Sequence, residues 1–275
     1  MALIEKQPNS IKNIKGDMIK AIKNLIKFRG LLFALLIRGF KSKYKNSYLG
    51  IFWSLLNPLL NVLIFAFIFT VIIKIDIKNY PLYLLCAIFP WNFFHSALTN
   101  SVLSIVEDTH FVKNTSFPTE LIPLSVVIVN LMNFLIDLFI LILVLFLFGK
   151  GFSAVWLYIP FLVIMEFFMI SGLSILSAGA FVVFRDLNFI LNLFLRLFFY
   201  FVPVIYTIEF VPKNLLFIYL LNPLAVVIDS FAKILFYGIA PDLRWLLFAT
   251  LETLVIFILC LAIFQKIRRI IPERL

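Results

Sequence analysis

The sequence predicts an all-α integral membrane protein: six transmembrane helices, an N-terminal amphipathic helix in the membrane interface, and a re-entrant helix pair before the last span. Three observations carry this. The chain of 275 residues is 63% hydrophobic with a mean hydropathy of +1.09, whereas soluble domains are about 45–50% apolar. A water-facing surface has no room for that excess. Long, nearly charge-free runs recur along the chain. The basic residues gather at its two ends.

Each run meets the requirement of about 20 apolar residues for crossing a bilayer. Residues 48–73 carry no charge, and residues 80–106 none beyond His95. Residues 121–149 contain Asp137, 151–184 only Glu166, 187–208 only Arg196 and 245–265 only Glu252. None alternates apolar and polar residues as barrel strands do. The 34 residues of 151–184 would reach about 51 Å as one helix, which predicts a tilt or an extension beyond the bilayer core.

Two other apolar stretches are not counted as spans: the first is too short, and each half of the second, broken one is too short. Leu31–Ile37 is flanked by Arg29 and Arg38. Just upstream, Ile19, Ile22, Leu25 and Ile26 share one helical face and Lys20, Lys23 and Lys27 another, the pattern of an interface helix. Leu215–Tyr237 is broken at Asn222-Pro223 and carries Asp229 and Lys233. It reads as a re-entrant pair, its irregular backbone buried in protein. The expected organisation is one membrane domain over 1–275: an N-terminal segment 1–46, the spans within 47–266 and a tail 267–275.

Orientation follows from charge. Eleven Lys and Arg residues, Lys6 to Lys45, precede the first run, and Lys266, Arg268, Arg269 and Arg274 follow the last. Both termini are therefore expected in the cytoplasm, which requires an even number of crossings. No cleavable signal peptide is expected. The net charge of +10 belongs with this bias rather than with nucleic acid.

Several chemistries find no support. No GxxxxGK[ST] loop is present, so ATP hydrolysis by that route is not expected in this chain. His95 and His110 stand in no metal-ligand spacing. Cys86 and Cys260 sit within apolar runs as small hydrophobes. The charges within the runs, Asp137, Glu166, Arg196 and Glu252, are read as structural, Arg196 pairing with a carboxylate; a proton relay is the alternative.

The first inner loop, Glu107 to Pro118, mixes charge with Phe111 and Val112. It is either a solvated turn or a short helix that docks a cytoplasmic partner. The second, Phe184 to Asn188, holds Arg185 and Asp186, which anchor helix ends or touch the same partner.

Five motifs in order resemble the permease family of ABC transporters that export O-antigen, capsular polysaccharide and teichoic acid. They are Tyr44 to Pro58, Pro90-Trp91-Asn92-Phe93-Phe94, Phe111-Val112-Lys113 with Phe117-Pro118 and Pro123-Leu124-Ser125, Phe184-Arg185-Asp186-Leu187 with Pro203-Val204-Ile205-Tyr206, and Leu221-Asn222-Pro223. Thr119 departs from the pattern, in which a basic residue often follows Phe-Pro.

The resemblance implies a homodimeric channel in the bacterial inner membrane, two separate ATP-binding subunits that hold ATP and Mg, and no cofactor in this chain. It implies a lipid-linked polysaccharide, on an undecaprenyl carrier, as cargo. Glu107, Asp108, His110, Phe111, Lys113 and Asn114 would couple to the ATPase, with Arg185 and Asp186 a second contact. The pair around Asn222 and Pro223 would form the periplasmic gate region. Aromatic rings offer stiff faces on which sugars slide, and Trp91, Phe93, Phe94, Phe199, Tyr200 and Tyr206 are the lining candidates. Aromatic residues also face lipid or pack between helices. The alternatives are a permease for teichoic acid or a small molecule, and an ATP-independent flippase or secondary transporter, whose inverted repeats are not seen.

Overall fold

A computed structural model describes residues 28–44, 52–72, 74, 77, 79–109 and 118–275. Among them the chain is helical and forms no strand. The proposed interface residues Ile19 to Lys27 lie outside the described residues.

The first helix, α1 (Arg29–Tyr44), contains the short apolar stretch. It buries Leu35 against Ile105, Leu121 and Ile122 and leaves Phe33 and Ile37 exposed. A Cβ on Gly39 would stand 3.3 Å from Val129 Cγ2, so the helix backbone approaches its neighbour closely there. Next comes α2 (Phe52–Phe67), continued by a π-helical turn through Ile72. Leu60, Leu63, Ile64 and Phe67 on it face outward.

The centre of the bundle is α3 (Tyr80–Val102). Asn79, with φ 59°, turns the chain into it, and Pro81 occupies the first turn, where its missing N–H is no loss. Nearly all of this helix is buried. A short helix, α4 (Ser104–Glu107), continues it. Beyond residue 118 come α5 (Leu121–Leu147) and α6 (Ile159–Val183), the latter preceded by a 3-10 turn at Ala154–Tyr158. That turn divides the apolar run 151–184, so α6 has 25 residues, about 37 Å of helix.

The predicted span 187–208 is not one helix. Helix α7 (Leu187–Phe198) with a 3-10 turn ends at Phe201, and Val202 to Thr207 is irregular. Pro203 explains the stop: the residue before a proline is driven out of helical conformation.

The break at Asn222-Pro223 appears where the sequence places it. Helices α8 (Lys213–Leu220) and α9 (Pro223–Ala232) meet at a bend of 106°, α9 running on through a π-helical turn to Tyr237. Asn222 caps α9 by accepting a hydrogen bond from Leu224 N at 3.1 Å, and Pro223 fills the first position. Most of α9 is buried in the bundle.

The last long helix, α10 (Leu243–Arg268), starts at an Asp242 cap and ends in Lys266 and Arg268, which complement the negative end of its dipole. A final turn, α11 (Ile271–Arg274), follows. Helix α10 lies close against α6 because small residues let the backbones meet: a Cβ on Gly172 would stand 3.0 Å from Phe257 Cα, and one on Gly179 2.7 Å from Phe264 Cδ2.

Among the described residues, four helices are long and apolar enough to cross a membrane, or five if the bent pair counts as one. The runs 48–73 and 187–208 contribute shorter apolar helices, Leu59–Ile72 and Leu187–Phe201.

Candidate functional site

The helix directions place two distinct sets of polar contacts at opposite ends of the bundle, with an aromatic wall between them.

At the end bearing the basic residues, Arg38 of α1 pairs with Asp108, directly after α4. Arg268 Nη1, at the end of α10, donates to Glu120 Oε1 at 3.2 Å, just before α5. These pairs bridge 70 and 148 residues of sequence. Of the coupling candidates, Glu107 is exposed and Asp108 is half-buried in its pair. His110, Phe111, Lys113 and Asn114 lie outside the described residues. Arg185 and Asp186 are both exposed at the same end, between α6 and α7, and the Arg185 guanidinium lies 5.3 Å from the Phe181 ring centroid.

The aromatic nominees divide into three groups. Trp91 of α3 meets Phe199 edge-on at 5.3 Å, and Phe94 meets Phe198 at 6.3 Å. Phe65 of α2 stacks on Phe199 at 5.8 Å, and Phe194 on Phe198 at 5.1 Å. Rings from α2, α3 and α7 thus form one continuous wall. Trp91 and Phe94 are its buried back, Phe199 is half-buried, and Phe194 is 52% exposed. Phe93 points elsewhere: it stacks on Phe134 of α5 at 5.1 Å in the core. Tyr200 is exposed, and its carbonyl accepts a hydrogen bond from the Tyr206 hydroxyl at 2.9 Å.

At the opposite end, tyrosine hydroxyls serve the irregular segment after α7. Tyr80 donates to Ile205 O at 2.5 Å, and Tyr83 to Tyr206 O at 2.7 Å. Tyr219 of α8 and Tyr206 share a hydroxyl contact at 3.2 Å. Residues 202–205 are buried, and buried carbonyls that no helix serves need such partners. Asn222 and Pro223 sit at the α8–α9 corner, joined to this cluster where Asn222 N donates to Tyr219 O at 3.2 Å.

The expected pairing of Arg196 is not found. Arg196 is exposed on α7 and joins no ion pair among the described residues. Glu166 is fully buried in α6 with neither carboxylate oxygen hydrogen-bonded, and Glu252 Oε2 is likewise unbonded. The reason is position: Arg196 projects from the outward face of α7, whereas Glu166 is enclosed by the bundle. Ring partners Phe65, Phe194 and Phe198 were not among the nominees; the spacing of Phe194 and Phe198, four apart on one helix face, was the available signal. No group of His, Cys, Asp and Glu suited to a metal occurs among the described residues.

Residues 30–236 match the family model described as ABC-2 type transporter. The chain is 34% identical over 244 residues to an O-antigen export system permease protein RfbA of Klebsiella pneumoniae, covering 87% of this chain and 94% of the relative. It is 32% identical, with the same coverage, to a second such protein of that organism. To the O-antigen export system permease protein RfbA of Myxococcus xanthus it is 27% identical over 260 residues, 93% of this chain and 99% of the relative. With its apolar helices, wall of rings and basic end, the chain belongs to the ABC-2 type transporter family, as a multi-pass permease subunit rather than an enzyme.

Proposed function

We propose that two copies of this chain form the channel of an exporter that carries a lipid-linked, O-antigen-like polysaccharide from cytoplasm to periplasm across the bacterial inner membrane. Separate ATPase subunits, which hold ATP and Mg, drive it. The observation that carries this reading is the ring wall of α2, α3 and α7, whose buried side is anchored by Trp91 and Phe94 and whose open side ends in exposed Phe194 and Tyr200. Both α2 and α7 leave their outer apolar faces uncovered. A second copy of the same faces would enclose a passage lined by rings. Such rings give a sugar polymer broad contact without strong directional binding, so that it slides.

In this reading α2 and α7 complete six crossings, short helices being tolerated where the partner copy shields their ends. Both termini are cytoplasmic. The ATPase docks on Glu107 to Asn114 and on the Arg185–Asp186 turn. The α8–α9 pair dips into the membrane from the periplasmic side and forms the gate region around Asn222 and Pro223. The relatives' names support the cargo assignment.

The test is purification of the tagged chain from native membranes, with identification of partners, and deletion followed by staining of surface glycan. A co-purifying ATPase and loss of surface O-antigen-like glycan on deletion are expected. An ATPase partner with unchanged surface glycan would point to a teichoic acid or small-molecule permease. A chain that purifies alone and works without ATP would point to a flippase or secondary transporter.

A further inference from the structure

Beside the tight α6–α10 contact, α1, α5, α6 and α10 leave a groove of about 590 Å3. Its walls are apolar, built from residues such as Leu32, Leu124, Ile128, Phe168, Ile258 and Leu261; the exceptions are Glu120 and Ser171. It follows α5 from Leu121 to Ile128, about 10 Å along the helix. One side is open: Leu254 is 46% exposed, and Phe168 and Ile258 are each 38% exposed.

The groove changes character at the basic end. Glu120 closes it there, and one Glu120 oxygen is held by Arg268 at 3.2 Å, while the other is buried without a hydrogen-bond partner. Arg268, in the last turn of α10, is tied to this end through Glu120. A narrow apolar slot along the helix axes, with the Arg268 guanidinium paired to the residue that closes its end, has the chemistry of an anionic lipid: the slot takes hydrocarbon, and Arg268 takes phosphate. Basic pockets between membrane helices bind such head groups.

We propose that this groove binds one chain of an anionic membrane phospholipid, whose phosphate takes Arg268 in competition with Glu120. Occupancy then loosens the only described ion pair between the end of α10 and the start of α5. The site is independent of what the exporter carries.

The experiment titrates the full chain, in mild detergent with whatever subunits co-purify, with dioleoyl phosphatidylglycerol or dioleoyl phosphatidylcholine and counts bound lipids by native mass spectrometry. The wild type is expected to retain phosphatidylglycerol preferentially. Arg268→Gln should reduce that preference by about fivefold, the size of one cationic side chain near a charged surface, with phosphatidylcholine unaffected. Glu120→Gln frees Arg268 and should raise phosphatidylglycerol retention. Ile258→Trp fills the slot and should lower retention of both lipids. Equal retention of the two lipids by the wild type, or an unchanged preference in Arg268→Gln, overturns the proposal. So does Ile258→Trp altering the oligomeric state while lipid retention stands, which assigns the face to a second copy. Displacement of phosphatidylglycerol by equimolar undecaprenyl phosphate overturns the phospholipid assignment in favour of a carrier lipid.

Discussion

The α6–α10 contact and the α3–α7 contact join helices in opposite ways. In the first, Gly172 and Gly179 bring α6 against the backbone and rings of α10, where an added carbon would be crowded at Gly172 and would overlap the Phe264 ring at Gly179. In the second, α7 is held by ring edges and faces at its far end, through Phe198 and Phe199, while Phe189, Ile190 and Leu193 near its start stand uncovered. The difference is one of tolerance. Ring on ring permits sliding and tilting with little change in contact, whereas backbone on ring fixes a distance. A transporter that must move needs both, and the fixed contact lies away from the wall proposed to meet cargo.

Four substitutions probe this contrast. The largest effect is expected from Gly179→Leu, which drives a branched side chain into Phe264 and should lower stability by about 3 kcal/mol, the upper part of the overpacking range; thermal unfolding in detergent measures it. An unchanged midpoint would show that α10 is not clamped. Gly172→Ala places one carbon 3.0 Å from Phe257 Cα and should cost about 1 kcal/mol in the same assay. Phe198→Leu keeps most of the volume but removes the ring; stability should fall by less than about 1.5 kcal/mol while glycan export drops, as surface staining would record. If export survives, the wall is packing alone. Arg185→Ala, on an exposed turn, should move stability by no more than about 0.5 kcal/mol yet weaken recovery of the ATPase in pull-down. Full recovery would remove that turn from the docking surface.

What the sequence could show follows the range of each force. Runs 80–106, 121–149, 151–184 and 245–265 announce their helices because lipid burial acts on every residue of a long segment. Asn222-Pro223 announces the corner because capping and proline sterics are local. Pro203 carries the same kind of local signal and ends α7, which an apolar count over 187–208 passes over. The pairs Arg38–Asp108 and Arg268–Glu120 join residues far apart in sequence, so composition is silent about them. Facing is equally hidden: Phe93 and Phe94 are neighbours, yet one stacks on a ring of α5 and the other meets a ring of α7 at a tilt.

The tyrosine contacts after α7 have a mechanical consequence. Pro203 and its surroundings leave carbonyls that no helix can serve, and Tyr80 and Tyr83 take them from the first turn of α3. The segment is therefore pinned at two points three residues apart on a single rigid rod. It cannot swing alone. Any opening at that end either turns α3 with it or breaks these contacts and leaves buried carbonyls unpaired.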